Sequence, residues 1–100
     1  MEIVISSFST QKEAKKFARV AVEKRLASCA AYYKINSIYF WNKEKVEGEE
    51  WIVEFKTANS KKLFEFLEKN HPYSCPMIYI IKPSKVNRKY LKWLENYEKK

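Results

Sequence analysis

The sequence predicts an α+β protein, a ferredoxin-like βαββαβ sandwich with an extra C-terminal helix and a long central β-hairpin. Three observations carry that expectation. Stretches rich in β-branched and aromatic residues alternate with stretches of helical periodicity, in the order β-α-β-β-α-β-α. The second and third extended stretches follow each other with no helix between them, as a hairpin requires. All seven fit within 100 residues, the length of one domain, with no repeat or low-complexity segment.

The elements follow in order. "EIVISSF", residues 2–8, is short and β-branched, a first strand. Thr10, with Glu13 three residues on, predicts a capping box. Ala14, Phe17, Ala18, Ala21, Val22 and Leu26 then recur at helical spacing, so the helix is expected to reach about Leu26. "CAAYYKINSIYFW", 29–41, has no glycine or proline and reads as one long strand. "NKEKVEG", 42–48, holds the only glycine and reads as the connecting loop; "EEWIVEFKT", 49–57, is the return strand. Asn59 or Ser60 caps a second helix whose apolar stripe is Leu63, Phe66 and Leu67. "MIYIIK", 77–82, is nearly all apolar and suits a central place in a sheet. Beyond Pro83, Tyr90, Trp93, Leu94 and Tyr97 stand at i, i+3, i+4 and i+7, an amphipathic helix.

Composition narrows the class. A chain this short buries a modest fraction of its surface and gains from assembly. The second strand is nearly twice as long as the first and last, so the hairpin is expected to project beyond the helix-covered sheet. The projection carries "IYFW", 38–41, apolar on both faces. Such an end is an aggregation hazard for a monomer, and a closed ring of copies removes it. A homo-oligomer is therefore expected. No stretch nears the roughly 20 apolar residues of a membrane span, and residues 1–13 resemble neither a signal nor a transit peptide. The expected compartment is the cytoplasm, where Cys29 and Cys75 remain free thiols.

The formal charge of +8 raises nucleic-acid binding. Most lysines are scattered, however, and only the tail concentrates them: Lys82, Lys85, Arg88, Lys89, Lys92, Lys99 and Lys100. The glycine-and-aromatic signature of RNA-stacking strands is absent, which argues against that class.

Four segments in order resemble the CutA family of divalent-cation tolerance proteins. "EKRLASCAAY…SIYFW" (23–41) is similar to the family's RLxACxN…YxW. Glu50, Lys56 and Thr57 match ExxxxxKT. "HPYSCPMI" (71–78) matches HPYxxPxI, and "YLKWL" (90–94) matches YLxWL. The resemblance implies a ferredoxin-like protomer, a homotrimer built through long hairpins, and a cytoplasmic, non-enzymatic protein linked to tolerance of heavy metals, copper above all. The chain departs at Trp41-Asn42-Lys43, where the family has Trp-x-Gly, and at Cys29-Ala30-Ala31, which lacks the family asparagine. The positions matching a proposed copper site of Cys and His-His are Ser6, Asn70 and His71.

Two candidate sites follow. Metal donors are His71, Cys75 and Cys29, with copper or another divalent cation as the ion; soft Cu(I) prefers thiolates, whereas Cu(II) and zinc prefer imidazole. A specific site takes three or four ligands, and the His71–Cys75 spacing of four is no recognised metal motif. A Cys–His nucleophile pair would need contact and an orienting third group. The plain alternative is a rigid helix exit: Pro72 stops the helix and extends residue 71, whose side chain could cap the preceding helix. The second candidate is a binding cleft formed by Tyr39, Trp41, Glu50, Lys56, Tyr73 and Trp93. The resemblance places such residues along subunit seams, where aromatic walls with one cation and one anion suit a small ligand or anion. That alternative function is small-ligand binding or signalling like the trimeric PII proteins, without a physiological metal site.

Overall fold

The computed structural model describes residues 1–99; Lys100, counted above in the basic tail, lies outside the described residues. Seven elements occur: β1 (Glu2–Phe8), α1 (Gln11–Glu23), β2 (Cys29–Trp41), β3 (Glu44–Thr57), α2 (Ser60–Asn70), β4 (Ile78–Ile81) and α3 (Arg88–Lys99). The four strands form one sheet in the order β2-β3-β1-β4, and every adjacent pair is antiparallel.

Alternation along the strands separates two faces. Val4 and Phe8 of β1 and Val53 and Phe55 of β3 pack beneath α1 and α2, which contribute Ala14, Phe17, Ala18, Ala21, Leu63 and Leu67 to the same core. The other face carries Ile3, Ile5, Ser7, Tyr33, Tyr39, Trp41, Ile52, Tyr79 and Ile81. α3 docks at the end of the sheet where β2 begins. The Glu98 carboxylate there accepts from Thr57 Oγ1 (3.0 Å), Ala58 N–H (3.0 Å) and Ser28 Oγ (2.5 Å), while Leu94 is buried.

The helix ends have local causes. Thr10 Oγ1 caps α1 by accepting from Glu13 N–H, but the Glu13 carboxylate accepts from Ser9 Oγ (2.7 Å) instead of closing the box. α1 stops at Glu23, short of the expected Leu26, because Arg25 adopts φ 58°. Arg25 N–H then donates to Val22 O and Leu26 N–H to Ala21 O, a Schellman closure with arginine in the usual glycine place. Asn59, not Ser60, caps α2 through Lys62 N–H.

The hairpin differs most from its sequence reading. Residues 42–48 are not a loop. β2 turns into β3 through Asn42 and Lys43 alone, with φ 52° and 67°, and Gly48 lies inside β3 opposite Ser37. β1 pairs β3 only over Trp51–Thr57, so the seven residue pairs from Ile35–Glu50 to Trp41–Glu44 belong to the hairpin alone. That is an overhang of about 24 Å, on a molecule whose extents are 46 × 26 × 20 Å. β4 is the second correction: it is an edge strand, not a central one, and Tyr79, Ile80 and Ile81 are exposed.

Candidate functional site

His71 closes α2 and begins the site. Pro72 follows it, and His71 takes the extended conformation this imposes, φ −63° and ψ 137°. Its backbone N–H caps the helix by donating to Leu67 O (2.9 Å). Its side chain does not cap α2 but crosses to β1. Nδ1 accepts from Tyr73 N–H at 3.1 Å, which assigns the proton to Nε2; that N–H donates to Ser7 O at 2.9 Å, with Ser6 Oγ 3.1 Å away. The imidazole stacks on Phe8 (4.6 Å between centroids, 11° between planes), and Phe8 stacks on Phe17. Burial lowers the His71 pKa from its ordinary value, against smaller raising effects from Ser7 O and the Glu13 charge, so the ring is neutral at pH 7.

The next residues build a cleft. His71 holds Tyr73 edge-on at 4.8 Å, and Ser6 Oγ donates to Met77 O (2.8 Å), pinning both ends of the 73–77 connection against β1. Opposite stands the open face of the hairpin at the point where it leaves the sheet. The cavity between them is about 490 Å³, lined by Ser7, Tyr39, Trp41, Glu50, Tyr73, Ser74, Cys75 and Met77. Glu50 is held through Oε2 by Ser37 Oγ (2.5 Å). Burial first, and then the charges of Glu50 and Glu13, raise the Tyr73 pKa, so its phenol stays protonated.

Four of the six expected cleft residues thus meet: Tyr39, Trp41, Glu50 and Tyr73. Lys56 and Trp93 do not line the cavity. Lys56 shares the strand and face of Glu50 but stands six residues along, about 20 Å away, opposite Cys29. Trp93 lies on α3, stacked between Tyr90 (5.7 Å) and Tyr97 (6.4 Å).

The metal candidates are spread out. Cys75 is exposed at the cleft, Cys29 lies at the opposite end of β2, and both nitrogens of His71 are occupied by hydrogen bonds. Of the other two positions matched to copper ligands, Ser6 lies beside His71, whereas Asn70 turns back to donate to Phe66 O. Among the described residues no three His, Cys, Asp or Glu side chains converge on a metal-sized point. The donors of one protomer therefore do not compose a metal centre.

Ser7 and Ser74 also line the cavity without having been expected there, and Met77, a soft-metal donor candidate by residue type, joins them. Strand alternation in "EIVISSF" turns Ser7 to the hairpin's face, and Ser74 and Met77 lie within two residues of Cys75, so both signals were present in the sequence.

The match to known proteins covers nearly all of this architecture. Residues 2–97 fit the family model described as CutA1 divalent ion tolerance protein. A divalent-cation tolerance protein CutA of Thermotoga maritima is 38% identical over 96 residues, covering 94% of this chain and 95% of the relative. The structure of CutA from Synechococcus elongatus superposes with a TM-score of 0.93 at 29% identity, over 97% of this chain and 88% of the other. The periplasmic divalent cation tolerance protein CutA of Archaeoglobus fulgidus superposes with a TM-score of 0.91 at 23% identity, over 98% and 99%, a likeness of fold. With the HPY turn, the long hairpin and the tail helix all in their matched places, this chain belongs to the CutA1 family of divalent ion tolerance proteins.

Proposed function

We propose that the protein serves divalent-cation tolerance as a homotrimer of ferredoxin-like, single-domain protomers, and that the cleft at the base of the hairpin binds a small ligand. The overhang carries the assembly. Ile38 and Phe40 are 64% and 73% exposed on one side of it, and Tyr39 and Trp41 nearly half exposed on the other. The open face adds Tyr33, and the unpaired edge of β4 adds Tyr79, Ile80 and Ile81. An isolated protomer with a bare edge and this apolar surface is a template for aggregation. Three copies that cover one another's hairpins and β4 edges leave a soluble particle. The sheet order, with α1 and α2 on one face, supports the ferredoxin-like reading.

Metal binding enters through Cys75, whose exposed thiol stands at the cleft, with the remaining ligands supplied by neighbouring protomers; copper is the ion the family resemblance suggests. Cys29 is remote, and His71 would first have to release Tyr73 N–H or Ser7 O. No reaction is assigned to the site. The proposed compartment is the cytoplasm, where Cys29 and Cys75 remain reduced, which fractionation of the native host checks. No described helix is long and apolar enough to cross a membrane.

Sedimentation at micromolar concentration tests the assembly. The expected mass is about 36 kDa, three protomers of 12.0 kDa; a well-behaved 12.0 kDa species overturns the proposal. Copper titration of the assembled protein is expected to lose its specific stoichiometry in Cys75→Ser. Unchanged stoichiometry in that variant removes the thiol from the metal reading.

A further inference from the structure

The helix-bearing face of the molecule holds a second groove, separate from the cleft at the hairpin. α1 packs mainly over β2 and β3, and α2 over β1 and β4. The space between the two helices therefore lies above the middle of the sheet, on the face opposite Tyr33, Tyr39, Trp41 and Tyr79. The proposed trimer covers that other face, the hairpin overhang and the β4 edge. The groove between the helices points away from all three, so its lining comes from one protomer.

This groove runs from the end of α1 along α2, with a volume of about 710 Å³, and its walls are chiefly Lys24, Leu26, Lys62, Glu65, Phe66 and Lys69. Lys62, Glu65, Phe66 and Lys69 stand at i, i+3, i+4 and i+7, one face of α2. The chain reversal at Arg25 brings Lys24 and Leu26 to the facing wall. Leu26 and Phe66 pack half-buried against the core and make an apolar floor. Lys24, Lys62 and Lys69 are exposed above it. The ion pairs among the described residues are Lys34–Glu49, Lys45–Glu47 and Lys82–Glu2, and none engages these three lysines. Where the groove adjoins the start of α2, the charges are already committed: Arg25 Nη1 donates to Tyr97 O (3.0 Å), and Glu98 accepts from Ala58 N–H (3.0 Å). The available positive charge is thus the lysine rim, around one carboxylate, Glu65.

We infer that this groove receives an extended acidic peptide segment of a partner protein, one with apolar side chains between its carboxylates. Lys62 and Lys69 stand about 10 Å apart along the helix axis, the reach of about three residues of extended chain. Carboxylates at that separation meet both lysines, and the apolar residues between them cover Leu26 and Phe66. Glu65, between the two lysines on the helix, repels a negative charge at the centre of the ligand. A nucleic-acid strand, charged at every residue, would set phosphate against it.

Fluorescence anisotropy on the assembled protein tests this with four labelled probes. They are the peptide Gly-Glu-Leu-Leu-Glu-Gly, its forms with both Glu replaced by Gln or both Leu by Ser, and a short thymidine oligonucleotide. The parent peptide is expected to bind at submillimolar concentration in low salt and to weaken as salt rises. The Gln form is expected to bind about five- to tenfold more weakly, and the Ser form about fivefold more weakly. Lys62→Gln combined with Lys69→Gln is expected to weaken the parent peptide about five- to tenfold, with the sedimenting mass still about 36 kDa. Equal binding of the parent and Gln forms, or of the parent and Ser forms, overturns the inference. So does unchanged affinity in the double variant, or no binding of the parent peptide at millimolar concentration. Tighter binding of the oligonucleotide in competition with the peptide overturns it in favour of a nucleic-acid surface. A fall in mass toward 12.0 kDa in the double variant overturns it by placing the groove within the subunit interface.

Discussion

His71 shows how a residue type that suggests metal chemistry can be consumed by the fold. Its two nitrogens join three backbone segments: α2 by covalent attachment, the Tyr73 turn through Nδ1, and β1 through Nε2. Protonation would place a second donor against Tyr73 N–H, so the folded state favours the neutral ring. The pKa is lowered by burial, and the unfolded value is about 6.5. The stability this gives is complete above about pH 6.5 and is lost as pH falls through the lower folded pKa. The thermal midpoint is expected to decline between about pH 7.5 and 5.5 in the native protein, and less steeply in His71→Phe. At pH 7.5 the same substitution leaves Tyr73 N–H without its acceptor and is expected to cost about 1–3 kcal/mol by denaturant unfolding. Equal pH slopes in the two proteins would refute the assignment. Sequence made the turn legible, because Pro72 forces residue 71 out of the helix. The destination of the ring was not legible, because Ser7 lies 64 residues away in the chain.

At the scale of elements, two junctions carry unusual backbone or polar chemistry. The hairpin turn places Asn42 and Lys43 both at positive φ. Asparagine tolerates that region, whereas lysine bears a cost of roughly 1–2 kcal/mol that glycine does not. Lys43→Gly is expected to raise stability by up to about 1 kcal/mol after the added freedom of the unfolded glycine is offset. Denaturant midpoints check this, and a loss of stability would mean that the Lys43 side chain is engaged in the assembly. At the other end, Glu98 gathers Ser28, Thr57 and Ala58 beneath α3. Glu98→Ala is expected to leave Ala58 N–H without its acceptor, while Ser28 Oγ keeps Leu94 O and Thr57 Oγ1 keeps Leu26 O, destabilise by about 1 kcal/mol, and speed amide exchange in Arg88–Lys99 more than in α1. The apolar periodicity of α3 was readable from Tyr90, Trp93, Leu94 and Tyr97. Its polar anchor was not, because Thr57 and Glu98 are 41 residues apart.

Across the whole molecule, the apolar run of β4 is the informative misfit. A strand reading as continuously hydrophobic usually lies inside a sheet, and here it lies at the edge. In the proposed trimer, contact with another protomer reconciles the two, since an intermolecular partner buries what the protomer exposes. The hairpin overhang makes the same demand from the opposite end of the sheet order. Phe40→Lys combined with Ile38→Lys is therefore expected to shift the sedimenting species from about 36 kDa toward 12.0 kDa, with α1 and the core retaining their far-ultraviolet signal. An unchanged trimer in that variant would place the interface elsewhere.

Read alone, the sequence determined the seven elements, their order and the excess length of the hairpin, and it named four residues that line the cavity at the hairpin's base. Each of these follows from local periodicity, from proline stops or from motifs within a few consecutive residues. Tertiary structure decided what depends on register between distant strands. It made β4 an edge, drew the turn down to Asn42 and Lys43, carried Lys56 away from Glu50 along one strand face, and spent the nitrogens of His71 on β1 and the Tyr73 turn. A period of two tells which face a side chain takes, but only strand pairing tells what stands opposite it.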